Sequence, residues 1–275
     1  MDYVTAQGLQ IPKLGYGTFR LSGEACYQGV VDALAVGYRH IDTAQGYRNE
    51  DQVGQAIAAS GVPRDEIFLT TKLRPDNLTS EAVRTSTEES LAQLETDYVD
   101  LLLIHWPNPA VSLAETLEAM MGLQREGMIR GIGVSNFPPS WVRQAVAHTA
   151  IAANQVEYHA YLSQEDLLVL AREHGHTLTA YSPLAQGALI EEPVVAQIAK
   201  EHDATPAQVA IAWLLAQERV TAIPKATARE RIEANIAAAD LRLSDEELRH
   251  ISALDRGSAG RVVTPDHAPD WERTD

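Results

Sequence analysis

Residues 37–50 read GYRHIDTAQGYRNE and place a short β-rich run directly before two ionisable side chains. The run 38–42 ends in Asp42, and a polar stretch then leads to Tyr47. Seven similar runs recur along the chain, and a longer helical pattern follows each of them. Alternation of this kind predicts parallel strands joined by crossover helices. In chain order the eight runs are 14–17, 38–42, 67–72, 99–105, 129–134, 152–157, 177–182 and 220–224.

Helix start signals lie between the runs. Thr205 is followed by a first-turn proline, and Ser244 forms a capping-box pattern with Glu247 ahead of a last helix. A short turn at residues 7–8 separates two apolar runs and predicts a hairpin. We expect residues 1–275 to form one α/β domain: a (β/α)8 TIM barrel with an N-terminal β-hairpin cap, a C-terminal helix and a tail.

Composition argues against several classes of partner. The chain has 38 acidic and 22 basic side chains and a net charge of −16, which opposes binding to nucleic acid or to an anionic membrane. Cys26 is the only cysteine, so no internal disulfide can form. No run reaches the roughly 18 apolar residues of a membrane span, and residues 1–13 lack a signal-peptide pattern. We expect a cytoplasmic protein with no nucleic-acid or membrane partner.

Four ionisable side chains fall at or just after predicted strand ends. Asp42 ends the second strand, Tyr47 follows in the next loop, Lys72 ends the third strand and His105 ends the fourth. In a barrel of parallel strands, the carboxyl ends meet at one face, where active sites are built. A buried lysine needs a counter-charge, which Asp42 on the adjacent strand can supply. We therefore predict that carboxylate, phenol, ammonium and imidazole converge.

This group suits the reduction of a carbonyl. When a hydride reaches the carbonyl carbon, the oxygen gains negative charge and needs a proton. We expect the Lys72 ammonium to lower the pKa of Tyr47 below its ordinary value of about 10, so that the phenol can give that proton. His105 would donate a hydrogen bond to the same oxygen. Any one of these residues is more often structural, but their joint placement favours catalysis.

The stretch at 37–50 also resembles the signature of the aldo-keto reductase superfamily. The resemblance implies an NADPH-dependent carbonyl reductase, expected to be a monomer, in which Tyr47 is the general acid, Asp42 and Lys72 tune its pKa and His105 orients the carbonyl. Within the superfamily, the chain looks closest to bacterial diketogluconate and methylglyoxal reductases. Five further motifs carry the resemblance through all eight units: LIHWP at 103–107, GIGVSNF at 131–137, NQVE at 154–157, YSPL at 181–184 and IPK at 223–225.

A cofactor site follows from the resemblance. It implies that Ser135, Asn136 and Gln155 hold the nicotinamide carboxamide and that Tyr181 stacks on the nicotinamide ring. The barrel would bind the dinucleotide across its mouth. The complete set of implied cofactor residues is Gly17, Thr18, Asp42, Ser135, Asn136, Gln155, Tyr181, Ser182, Leu184, Pro224, Lys225, Thr227, Arg231 and Asn235.

A local cationic segment suits the phosphates of NADPH. Lys225, Arg229 and Arg231 form a basic patch in an acidic protein, and the resemblance assigns Lys225, Arg231 and Asn235 to the adenosine 2′-phosphate and adenine. Ala226 stands where a serine is usual in the family. The loss of one hydroxyl weakens the discrimination against NADH, so NADH is expected as a weaker cofactor.

The substrate is less defined than the reaction. Arg74 stands where an aromatic residue is frequent, and it would suit an anionic carbonyl compound, although pairing with a surface carboxylate is an equal alternative. Dicarbonyls, aldehydes and keto-sugars all stay open as substrates, because specificity lies in loop shape. The residues implied for substrate binding are Phe19, Tyr47, Arg74, His105, Trp106 and Trp271.

Two other functions fit parts of the sequence. Lys72 at a strand end could form a Schiff base, as in barrel aldolases, but that leaves the cationic segment and Tyr181 unexplained. A non-enzymatic nucleotide sensor could use the same barrel, although the complete set of four residues favours turnover. No metal site is predicted, because the histidines offer too few convergent ligands.

Overall fold

The computed structural model describes residues 2–271. Its strands are β1 (Tyr3–Ala6), β2 (Leu9–Pro12), β3 (Tyr16–Gly17), β4 (His40–Asp42), β5 (Phe68–Leu73), β6 (Val99–Ile104), β7 (Ile129–Ser135), β8 (Ala153–Glu157), β9 (Thr177–Tyr181) and β10 (Val220–Ala222). Its helices are α1 (Gly23–Ala35), α2 (Glu50–Ala59), α3 (Ser80–Gln93), α4 (Leu113–Arg125), α5 (Pro139–His148), α6 (Glu165–His174), α7 (Pro193–Glu201), α8 (Pro206–Ala216), α9 (Arg229–Ala237) and α10 (Asp245–Ser252).

Strands β3 to β10 form one sheet that closes on itself. They pair in parallel, and each strand lies beside the next one along the chain. At the seam Leu14 bridges Ala222, the Gly15 N–H donates to the Ala222 carbonyl at 2.8 Å, and the Ala222 N–H donates to the Lys13 carbonyl at 2.8 Å. The predicted (β/α)8 barrel is therefore confirmed. Each predicted run contains or overlaps one barrel strand, although the run 14–17 yields a strand of two residues.

The predicted N-terminal hairpin fills the lower end of the barrel. β1 and β2 pair antiparallel. Ala6 and Ile11 of the hairpin pack against Phe68, Leu101 and Leu103 of the barrel strands, and all five side chains are buried. Apolar side chains thus occupy this end, and the opposite end, where the strands finish, is left for polar groups.

The helices begin where the caps predict and cover the outside of the barrel. The Thr205 hydroxyl accepts the Gln208 N–H at 3.3 Å, and the Ser244 hydroxyl accepts the Glu247 N–H at 3.3 Å. In both helices the side chain at the third position returns a bond to the N-cap N–H, which completes a capping box. A large apolar core lies between helices and strands. None of the helices in residues 2–271 combines the length and apolarity needed to cross a bilayer.

Two helix glycines have contrasting surroundings. A methyl carbon added to Gly54 in α2 would lie 2.6 Å from the carbonyl carbon of Leu94 and 2.7 Å from the carbonyl oxygen of Gln93. Backbone atoms cannot rotate away as a side chain can. The nearest atom to a methyl carbon on Gly122 in α4 would be a guanidinium nitrogen of Arg125, at 3.9 Å. Gly54 is therefore required by the close approach of α2 to the end of α3.

We expect Gly54→Ala to lower the free energy of unfolding by about 1–3 kcal/mol, because overpacking forces backbone segments apart. Gly122→Ala is the matched control and should raise that free energy by up to about 1 kcal/mol, since alanine favours a helix over glycine. Urea denaturation followed by circular dichroism measures both changes. Equal effects of the two substitutions would contradict the packing role of Gly54.

Candidate active site

The four predicted catalytic residues lie at one end of the barrel. Asp42 is the last residue of β4, Lys72 lies in β5, His105 directly follows β6, and Tyr47 ends a short 3₁₀ turn, Gln45–Tyr47. Asp42 and Lys72 are buried, with 1% and 0% exposure, whereas Tyr47 and His105 are half-buried at the mouth. The strand ends thus bring together the four groups that the sequence singled out.

Lys72 uses all three hydrogens of its ammonium group. Its Nζ donates to Asp42 Oδ1 at 2.6 Å, to the Thr43 carbonyl at 2.7 Å and to the Tyr47 hydroxyl oxygen at 3.3 Å. Asp42 accepts a further bond from Gln155 Nε2 through its second oxygen, at 2.7 Å. Burial lowers the pKa of Lys72, and the charge of Asp42 opposes that shift. A continuous hydrogen-bonded path therefore joins the carboxylate to the phenol.

The pKa of Tyr47 shifts in the direction opposite to the sequence expectation. Burial raises this pKa well above the ordinary value of 10.0, and the negative charge of Asp42 adds to the rise. Asp42 lies 2.6 Å from Lys72, so the phenol faces an ion pair with little net charge. The expectation that Lys72 lowers the pKa of Tyr47 is wrong for this structure. The raised pKa keeps the Tyr47 hydroxyl protonated near neutral pH.

His105 lies beside Tyr47 as a neutral ring. The two rings meet edge to face, with centroids 5.6 Å apart. Burial lowers the pKa of His105 to about 3, with smaller contributions from Lys72 and His267. A neutral imidazole has one N–H donor and one acceptor nitrogen. His105 can therefore donate a hydrogen bond to a carbonyl oxygen, but it carries no acidic proton of its own near neutral pH.

Polar side chains at the ends of β7, β8 and β9 form one network next to Asp42. The Ser135 hydroxyl donates to the Gln155 carbonyl at 2.8 Å, Asn136 Nδ2 donates to Ser135 Oγ at 3.1 Å, and the Tyr181 hydroxyl donates to Asn136 Oδ1 at 2.7 Å. Gln155 connects this network to Asp42. The residues implied for the nicotinamide therefore lie together and adjoin the catalytic pair.

The barrel seam supplies another group of implied cofactor residues. The Gly17 N–H donates to the Pro224 carbonyl at 3.2 Å, and a methyl carbon on Gly17 would lie 2.7 Å from the Ile223 carbonyl oxygen. Thr18 donates to the Asp42 carbonyl through both its N–H and its hydroxyl, each at 3.0 Å. These contacts fix the backbone beside the catalytic carboxylate. The loop after β9 contains Ser182 and Leu184.

Two exposed cations beyond β10 lack carboxylate partners. Within residues 2–271, the side chains of Lys225 and Arg231 make no hydrogen bond or ion pair. Arg229, which the sequence grouped with them, instead pairs with carboxylates of α1 and α9. Thr227 is exposed in the same segment, and Asn235 is buried in α9. Unpaired cations of this kind fit an anionic ligand.

Aromatic side chains border the catalytic group. The Phe19 ring lies 5.1 Å from the Tyr47 ring, centroid to centroid, and is 53% exposed. Trp106 directly follows His105 and is 8% exposed. Large apolar side chains beside a phenol and an imidazole suit a small organic substrate with a polar reacting group. Phe19 and Trp106 are thus placed where pocket walls are expected.

Arg74 and Trp271 make their main contacts elsewhere. The Arg74 guanidinium pairs with Asp76 at the surface through bonds of 3.1 and 3.0 Å. The Arg261 guanidinium lies over the Trp271 ring, 4.0 Å from its centroid. Within residues 2–271, neither Arg74 nor Trp271 makes a side-chain hydrogen bond or a ring contact with the four catalytic candidates. Their substrate roles stay predictions.

Four further residues contribute to the site, although sequence analysis gave them no role. Asn49 joins the loops after β3 and β4 by hydrogen bonds. Glu50 is a buried carboxylate that accepts bonds from two hydroxyl groups. Glu157 binds peptide N–H groups of the C-terminal segment, and His267 of that segment meets the Trp106 ring edge to face. The first three lie inside the quoted motifs, whereas no sequence pattern marks His267.

Known proteins are similar to this chain over nearly its whole length. The Aldo/keto reductase family model matches residues 13–256. Methylglyoxal reductase DkgB of Escherichia coli is 44% identical over 270 residues, which cover 96% of this chain and 100% of the relative. A solved structure assigned as a 2,5-diketo-D-gluconic acid reductase B has a TM-score of 0.97 at 42% identity, over 99% of this chain and 98% of that one.

More distant solved structures keep the same architecture. Aldose reductase from Schistosoma japonicum has a TM-score of 0.89 at 33% identity, over 99% of each chain. The match therefore extends from the barrel seam to the C-terminal helix and is not confined to one motif. Taken with the geometry of the mouth, it shows that this chain belongs to the aldo/keto reductase family of oxidoreductases.

Proposed function

We propose that this protein reduces aldehydes and ketones, including dicarbonyls and keto-sugar acids, to alcohols with NADPH as hydride donor. The observation that carries the proposal is the path from Asp42 through Lys72 to the Tyr47 hydroxyl, with bonds of 2.6 and 3.3 Å, beside the neutral ring of His105. The named activities of relatives, methylglyoxal reductase and 2,5-diketo-D-gluconic acid reductase, support this substrate class.

The residues act on the carbonyl oxygen. In the proposed reaction the carbonyl carbon receives a hydride, which NADPH would supply when bound. Tyr47 gives its phenolic proton to the oxygen as negative charge develops there, so the product is an alcohol. The phenolate left behind lies 3.3 Å from Lys72 Nζ, whose positive charge stabilises it until solvent restores the proton. His105 donates its ring N–H to the same oxygen and orients the substrate.

The residues around the mouth fit a dinucleotide. Asn136 and Gln155 have amide groups suited to a carboxamide, and the Tyr181 ring can stack on a planar heterocycle. Lys225 and Arg231 have no carboxylate partner within residues 2–271, so their charges are available for the 2′-phosphate. The presence of two cations that could bind the 2′-phosphate supports NADPH over NADH as the cofactor.

The alternative chemistry at Lys72 has less support. A Schiff-base lysine needs a neutral amine with a free lone pair. Each hydrogen of Lys72 Nζ is instead directed at an oxygen, and Asp42 lies 2.6 Å away. Borohydride trapping of a carbonyl compound on Lys72 would favour the aldolase, and NADPH binding without turnover would favour the sensor.

We expect Tyr47→Phe to lower kcat for methylglyoxal by about 10²–10⁴-fold, because the proton donor is removed while the ring remains. Absorbance of NADPH measures the rate, and fluorescence titration should show unchanged NADPH affinity. Tyr3→Phe is the matched control, since Tyr3 is 51% exposed on the hairpin, and it should behave as wild type. A Tyr47→Phe enzyme with wild-type kcat would eliminate Tyr47 as the donor.

The His105 ring should remain neutral down to about pH 5, since burial holds its pKa far below that of an ordinary histidine. Nitrogen NMR of the labelled imidazole reports the protonation state directly. Free labelled histidine, recorded over the same pH range, serves as the control for signal response. Protonation of His105 between about pH 6 and pH 7 would contradict its role as a neutral donor.

We expect Arg231→Gln to weaken NADPH binding by about 10- to 100-fold, because a charge-assisted bond to the 2′-phosphate is lost. NADH, which lacks this phosphate, should bind with unchanged affinity. Arg229→Gln is the matched control, since Arg229 already pairs with Asp32 and Glu233 at 3.0 Å each. Fluorescence titration gives all the affinities. Equal losses for NADPH and NADH would rule out a phosphate contact at Arg231.

A further inference from the structure

Residues 261–271 form a loop whose two ends meet, here named the C-terminal loop. The guanidinium of Arg261 at its start lies over the ring of Trp271 at its end, 4.0 Å from the centroid. Midway, residues 265–268 form a turn closed by a backbone hydrogen bond of 2.8 Å. The loop thus has a base, formed by Arg261 and Trp271, and a tip, formed by the turn.

The tip reaches the side of the carbonyl site. His267 in the turn meets the ring of Trp106 edge to face, with centroids 5.1 Å apart and an interplanar angle of 86°. Trp106 directly follows His105, and His267 is close enough to His105 to contribute to its lowered pKa. The tip therefore lies beside the candidate active site, against Trp106.

One buried carboxylate holds the base of the loop. Glu157 ends β8 and is 0% exposed. Its Oε1 accepts the Val262 N–H at 2.7 Å, and its Oε2 accepts the Val263 N–H at 2.9 Å. His159 Nε2 lies 2.9 Å from Oε1, and Arg261 Nη1 lies 3.9 Å from Oε2. Both carboxylate oxygens are therefore committed to the start of the C-terminal loop.

Neighbouring contacts leave the base little freedom. A methyl carbon on Gly260 would lie 1.7 Å from the Tyr161 carbonyl oxygen, so the chain enters the loop in tight contact with the segment after β8. Gln186 Nε2 donates to the Val262 carbonyl at 3.2 Å. Glu157 accepts two further hydrogen bonds here, from consecutive peptide groups at the start of the loop. Its strand also carries Gln155, so the anchor and the catalytic network share one rigid element.

We propose that Glu157 is a positioning residue that sets the substrate size preference by fixing the C-terminal loop. The proposal rests on the carbonyl reduction proposed above. With the base held, His267 stays against Trp106 and the pocket closes around a small dicarbonyl. Release of the base lets the tip move away, and a small substrate then loses wall contacts that a bulky aromatic aldehyde does not need.

The ratio of kcat/KM for methylglyoxal to kcat/KM for nitrobenzaldehyde tests this proposal. We expect Glu157→Gln to lower the ratio by about tenfold, mainly through a higher KM for methylglyoxal, because a small substrate loses enclosing contacts. The ratio is internal to each protein sample, so a fraction of unfolded protein does not change it. Glu191→Gln, at an exposed carboxylate in the segment after β9, is the matched control and should keep the wild-type ratio.

Trypsin provides a readout that does not depend on turnover. The Arg261 side chain is only 11% exposed between Trp271 and Glu157, so cleavage after Arg261 should be slow in the wild type and faster in Glu157→Gln, as followed by mass spectrometry. If Glu157→Gln fails to fold, Val263→Pro takes its place, because proline removes the N–H that Oε2 accepts. Val263→Pro should lower the ratio and raise the cleavage rate, as Glu157→Gln is expected to do.

A double mutant tests whether the effect passes through the tip. His267→Ala should lower the ratio as Glu157→Gln does, and the two changes together should lower it no further, since both remove the same wall. An unchanged ratio in Glu157→Gln, or fully additive effects, would overturn the proposal while wild-type turnover persists. Wild-type protein that reduces neither aldehyde would instead overturn the proposed function.

Discussion

The ion pair between Lys72 and Asp42 is the interaction on which the geometry of the mouth depends. Both side chains are almost completely shielded from water, and an ammonium group in such a place is tolerated only with full hydrogen bonding. Direct parallel pairing of β4 with β5 sets their register, with Asp42 opposite Thr70, and so fixes the pair. The other hydrogen bonds of Lys72 and Asp42 then orient Thr43, Tyr47 and Gln155. The contacts that make the buried charge tolerable are those that place the phenol.

The electrostatics of the mouth follow from this arrangement. Burial keeps the proton on Tyr47 and keeps His105 uncharged, and Lys72 and Asp42 neutralise each other. The resting group therefore presents little net charge to a neutral carbonyl. In the proposed reaction, Tyr47 and His105 would supply two hydrogen-bond donors to the carbonyl oxygen as negative charge develops there, with little reorganisation. The unpaired cations, Lys225 and Arg231, lie apart from this group, beyond β10.

Local patterns in the sequence were sufficient to predict the barrel strands and the helix caps. They did not predict contacts between residues that are far apart along the chain. The run 14–17 gives a two-residue strand, and Lys13 and Gly15, on either side of Leu14, bond across the seam to Ala222, more than 200 residues away along the chain. The strand ends correctly predicted the convergence of the four catalytic candidates. The pKa direction of Tyr47 was not predictable, since it depends on burial and on how closely Asp42 approaches Lys72. Glu157 lies in a quoted motif, yet its partners are more than 100 residues further on.

The N-terminal hairpin also determines which end of the barrel a molecule can enter. Ala6 and Ile11 fill the lower end with apolar side chains, so the mouth is the entrance and the exit for anything bound inside. If the proposed cofactor and substrate share this entrance, the molecule bound deeper would leave only after the outer one. The apolar hairpin at one end of the barrel would thus set an order of release at the other end.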